Sequence, residues 1–170
     1  MRFRLQDIEQ SAIYSDNIHV FGKGEGAVAE EIAAYIDGQN PTVATYAKDG
    51  EMFVRVTAKA GTKEAAALLC EPVTKEIVAI LGDVVYGVNV DSLEQTVVNR
   101  LLSRGETVAT AESCTGGLVS KRLTDIAGVS EVFEMGACTY SNRIKHLLID
   151  VPNDMLAEYG AVSEQVAKAM

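Results

Sequence analysis

Two β-prone runs flank a single Asp-Gly pair in "NPTVATYAKDGEMFVRVTAKAG", residues 40–61, and no other stretch restricts the fold of this chain as tightly. Asp49-Gly50 suits a type I′ turn, so the runs read as a β-hairpin with Met52, Val54 and Val56 on one face. Before it, Ile18 to Gly22 alternates like a strand, and Glu25 to Asp37 places Val28, Ile32, Tyr35 and Ile36 on one helical face. After it, Thr62 is an N-cap, and apolar positions 65, 68, 69, 73, 77 and 80 recur at helical spacing up to Gly82. Pro72 is expected to bend or split that helix. The order β-α-β-β-α describes a compact α+β unit.

The segment "GDVVYGVNVDS" is rich in glycine and polar residues and reads as the boundary. A second pattern begins near residue 90. Leu93, Val97, Val98, Leu101 and Leu102 make a helical face, Glu106 to Ala111 a short strand, and Gly116 to Ile126 a helix. "EVFEMGACTY" then reads as a strand and "SNRIKHLLI" as a helix, with shorter helices in "DMLAEYG" and "SEQVAKAM". The expected class is mixed α/β: an N-terminal segment (1–17), a small α+β domain (18–89) and an α/β domain (90–170). Met170 falls inside a helical pattern with no stop signal, so the second domain reads as truncated.

Composition narrows the function classes. Fifteen Lys and Arg against 24 Asp and Glu give a net charge of -9, which repels nucleic-acid backbones in the absence of a basic stripe, and no such stripe is visible. No nucleic-acid partner is expected. The sequence has neither a membrane-length apolar run nor an apolar signal stretch, so a cytoplasmic location without membrane association is expected. Cys70, Cys114 and Cys138 lack metal-ligand spacing and read as free thiols.

The chemistry concentrates in "TAESCTGGLVSK", residues 110–121. A serine between a strand and a helix is first an N-cap. The same place, with the helix dipole and the backbone access given by Gly116 and Gly117, also suits a bound phosphate or a nucleophile whose oxyanion meets exposed amides. The stretch lacks the P-loop and G-x-S-x-G patterns, so cap, phosphate contact and nucleophile all stay open for Ser113. Only His19 and His146 are available as histidine bases; Tyr140 and Lys145 in "TYSNRIK" are the other candidates, each with a plain structural alternative. Ser141 or Asn142 would cap the following helix, and Cys114 is either a neighbouring nucleophile or a packing residue. "GKGEGAVAEE" has the wrong glycine spacing for a dinucleotide site and reads as a tight turn.

From "AESCTGG" through "AGVSEVF" and "TYSNRIK" to "GAVSEQV", the chain resembles the C-terminal domain of the competence/damage-inducible CinA family, the nicotinamide-nucleotide amidohydrolases. "VFGKGEGAVAEEI", the hairpin segment and "ILGDVVYG" resemble the middle region of full-length members, which has a KH-like fold. The resemblance covers roughly residues 18–170. It implies hydrolysis of the carboxamide of nicotinamide mononucleotide to nicotinic acid mononucleotide and ammonia, without metal or organic cofactor. It further implies Ser113 as nucleophile, Tyr140 and Lys145 as the groups that activate it and move its proton, and Cys114, Thr115, Gly116 and Gly117 as the oxyanion and substrate contacts. A later glycine-rich segment of the family is not in this sequence, so the fragment is expected to self-associate into a homo-oligomer. The alternative is a non-catalytic assembly or binding module built on the KH-like part.

Overall fold

The computed structural model describes residues 11–48 and 50–170, and the chain divides into two compact units between Leu93 and Glu94. The first unit contains β1 (Ala12–Phe21), α1 (Glu25–Glu31), α2 (Ala33–Ile36), β2 (Thr42–Lys48), β3 (Glu51–Ala60), α3 (Lys63–Leu81) and β4 (Val85–Val88). Its strands form one antiparallel sheet in the order β2-β3-β1-β4.

Lys48 pairs with Glu51, so the β2–β3 connection has two residues. Gly50 has φ 73°, as a type I′ position requires, and Asp49 lies outside the described residues. Met52, Val54, Val56 and Ala58 are buried on alternate positions of β3 and join Ala66, Cys70, Ile77 and Leu81 of α3 in one core. Thr62 caps α3 by accepting from the Ala65 amide at 3.1 Å.

Four expectations change. β1 starts at Ala12, so residues 12–17, expected in a separate N-terminal segment, are part of the sheet. Their polar side chains are matched there: Ser15 meets Thr57 at 2.8 Å, and buried Asp16 accepts from Tyr14, Thr74 and Asn89. The expected boundary segment supplies β4, where Gly87 is required because a Cβ would stand 2.6 Å from Val90 Cγ1. The helix after β1 breaks at Ile32 into α1 and α2, burying Val28 and Ile32 but leaving Ile36 exposed. Finally, α3 runs unbroken through Pro72, and its buried face is Ala66, Cys70, Thr74, Ile77 and Leu81. Leu68, Leu69 and Ile80, expected inside, are exposed.

The second unit contains α4 (Leu93–Arg104), β5 (Val108–Glu112), α5 (Leu118–Thr124), β6 (Phe133–Cys138), α6 (Asn142–Ile149), α7 (Asn153–Tyr159) and α8 (Glu164–Ala169). β5 and β6 are parallel, with Glu112 opposite Cys138. Val98, Leu123, Val129 and Val132 form one core; Val151, Leu156 and Val166 form another. α5 begins two residues later than expected because Gly116 and Gly117, at φ 60° and 92°, hold the preceding turn in the left-handed region. The class is mixed α/β, as the sequence pattern indicates. Among the described residues, no helix is long and apolar enough to cross a membrane.

Candidate active site

β5 ends at Glu112, and the next residue, half-buried Ser113, begins the loop that leads to α5. Ser113 does not cap α5. The amides of Val119 and Ser120 in the first turn donate instead to the Glu112 carboxylate, at 2.9 and 2.8 Å. Ser113 Oγ accepts from Lys145 Nζ at 2.8 Å.

Lys145 lies in the first turn of α6, whose N-cap Ser141 accepts from the Ile144 amide at 3.3 Å. The lysine side chain is 0% exposed. Its Nζ also donates to the carbonyls of Thr139 at 2.7 Å and Tyr140 at 3.2 Å. Among the described residues it has no carboxylate partner. The three hydrogens of an ammonium match these three acceptors, Ser113 Oγ and two carbonyls; a free amine would keep the two carbonyls and turn its lone pair to the serine proton. Ser113 and Lys145 are thus within hydrogen-bond reach of each other.

Tyr140 is present in two ways: its main-chain carbonyl receives Lys145, while its side chain is 73% exposed. The Gly116 amide donates to the Ser113 carbonyl at 3.0 Å, closing a turn, which removes it from the expected oxyanion donors. The Leu118 amide is likewise spent on the Thr115 carbonyl. Among the described residues, the amides of Cys114, Thr115 and Gly117 have no acceptor within the chain. The Cys114 thiol is exposed.

Among the described residues of the second unit, His146 makes no hydrogen bond to Ser113. His146 Nδ1 donates to the Val151 carbonyl at 3.0 Å. His19 lies in the first unit, hydrogen-bonded to Tyr86 at 3.1 Å, and its burial lowers its pKa. Among the described residues, no three His, Cys, Asp or Glu side chains gather as a metal site.

Sequence reasoning missed Glu112 and Thr139. Burial raises the Glu112 carboxyl, but donors from Ser120, Val119 and Thr115 outweigh it and hold the group at about 2. Its only sequence signal is a charge ending the strand "VATAE". Thr139 is fully buried and donates its amide to the Glu112 carbonyl at 2.8 Å. A cleft of about 570 Å³ opens beside these groups, lined among others by Glu112, Ser113, Cys114, Thr115, Val162 and Ser163.

Two family matches fit this layout: the damage-inducible protein CinA KH domain over residues 15–87, and the CinA C-terminal domain over residues 90–170. The chain belongs to the CinA family. A "CinA-like protein" of Desulfovibrio desulfuricans is 54% identical over 98% of the chain, and one of Kosmotoga olearia is 46% identical over 98%. These alignments take in 39% and 40% of the two relatives, so the chain spans about two fifths of their length. Among solved structures, the competence/damage inducible protein CihA of Agrobacterium tumefaciens is 42% identical, with 46% of this chain and 47% of that one covered at a TM-score of 0.45.

Proposed function

We propose that this CinA-family chain carries a nicotinamide-nucleotide amidohydrolase site that converts nicotinamide mononucleotide and water to nicotinic acid mononucleotide and ammonia. The observation that carries the reading is the 2.8 Å contact between Ser113 Oγ and the fully buried Lys145 Nζ, which two main-chain carbonyls hold in place.

Lys145 takes the hydroxyl proton as Ser113 Oγ bonds to the carboxamide carbon, and the amide oxygen becomes an oxyanion. The unpaired amides of Cys114, Thr115 and Gly117 are the donors that receive it. Return of the proton to the leaving nitrogen breaks the C–N bond and releases ammonia, with the exposed Tyr140 phenol available to relay it. Water, its proton taken by Lys145, then adds to the ester carbon; the bond to Ser113 Oγ breaks, and Oγ takes that proton back from Lys145 as nicotinic acid mononucleotide leaves. No cofactor is consumed in this sequence.

The test is ammonia release from nicotinamide mononucleotide by the chain, with nicotinic acid mononucleotide identified as co-product. Ser113→Ala is expected to abolish release; release that persists unchanged would remove Ser113 from the mechanism.

A further inference from the structure

Glu112 takes no part in these bond changes, yet both its side chain and its main chain hold the groups that do. Its carboxylate, 5% exposed, accepts at Oε2 from the Val119 amide at 2.9 Å and at Oε1 from the Ser120 amide at 2.8 Å. The Ser120 hydroxyl donates to the same oxygen. Because Ser120 donates its proton there, Thr110, 2.7 Å away, must donate to Ser120. Gly136 of β6 makes room for this group, since a Cβ at that position would lie 2.5 Å from Ser120 Oγ.

On the main-chain side, the Glu112 carbonyl accepts from Thr139 N at 2.8 Å and from Thr139 Oγ1 at 3.4 Å. Thr139 in turn presents its own carbonyl to Lys145. One residue thus ties the far end of the loop to its near end, and the nucleophile's strand to the lysine's acceptor.

We propose that Glu112 is the positioning residue of the Ser113 loop. By anchoring the start of α5, it closes residues 113–117 into the one arrangement that sets Ser113 Oγ on Lys145 and leaves the amides of Cys114, Thr115 and Gly117 free. It also fills the first turn of α5 with an internal anion, so the oxyanion is received by the loop and not by the helix. The proposal rests on the amidohydrolase reading only for the identity of the substrate.

A glutamine at this position keeps the size but points an NH₂ group at a site built from donors, so one anchor is lost and the loop slackens. For Glu112→Gln in the whole chain, kcat for ammonia release is expected to fall about 10- to 100-fold, part of what a lost oxyanion donor costs, while KM changes little. A KM rise at unchanged kcat would overturn the proposal. The second measurement does not depend on substrate: the rate at which phenylmethylsulfonyl fluoride modifies Ser113, followed by peptide mass. Slower modification in folded Glu112→Gln than in wild type supports positioning, even if wild type releases no ammonia from the nucleotide and the amidohydrolase reading fails. Equal rates, including none in either, overturn it. Should Glu112→Gln not fold, Ser120→Ala removes a single donor, and an unchanged modification rate in that variant also overturns the proposal.

Discussion

In the proposed reaction Lys145 is the residue on which the chemistry would turn, because a long cationic side chain is rarely buried completely without a carboxylate beside it. Removing its amine while keeping the apolar stem, as in Lys145→Met, is expected to lower kcat for ammonia release by about 10²- to 10⁴-fold, the usual contribution of a general base. An equal rise in KM at constant kcat would make it a binding residue instead. Glu112 gives a second prediction at this scale. Its carboxyl sits at about 2 in the folded protein against an ordinary 4.5, so the folded state binds that proton less readily than the unfolded chain. The stability it contributes is complete above 4.5 and lost as pH falls through about 2. Thermal melts across that range should show a steep acid decline in wild type and a shallower one in Glu112→Gln. At the residue scale the sequence pattern named Ser113 and Lys145, but no local signal separates nucleophile from cap. That distinction depends on which acceptor takes the α5 amides, and the acceptor is a strand-end glutamate seven and eight residues earlier.

Elements were readable where one periodicity ruled. The β2–β3 hairpin has both period-2 burial and a two-residue connection, and both follow from the amino acids at those positions. β1 and α3 were harder because small and polar residues do the packing. Ser15, Asp16 and Asn17 look like loop residues until their partners on β3, α3 and the segment after β4 are known. On α3 the larger leucines suggested the wrong face, while Ala66, Cys70 and Thr74 allow the helix to lie close to the sheet. Two substitutions separate the faces. Ile77→Ala is expected to destabilise the first unit by about 2–5 kcal/mol, whereas Leu68→Ser, at a position 68% exposed, should stay within about 0.5 kcal/mol. Denaturant unfolding reads both. Gly136 belongs to the same class of hidden constraint: Gly136→Ala should drive Ser120 away from Glu112 and lower kcat without changing any group that touches substrate.

For the whole molecule, the two units have separate cores that share no residue. A change of pattern near residue 90, from an α+β unit to an α/β one, was the sequence expectation; the two units divide between Leu93 and Glu94, and the last strand of the first unit lies in the apparent linker. With a net charge of -9, affinity for single-stranded RNA in filter binding at low salt is expected to be weaker than about micromolar; tighter binding with a steep salt slope would contradict that. The central claim is that the Ser113–Lys145 pair forms an acyl-enzyme with a carboxamide. Rapid quenching of the chain with nicotinamide mononucleotide, followed by mass analysis of the peptide bearing Ser113, tests it most directly. The expected result is a transient acyl adduct on Ser113 that accompanies ammonia release and is absent in Ser113→Ala. Ammonia release with no adduct on that peptide, undiminished in Ser113→Ala, would contradict it.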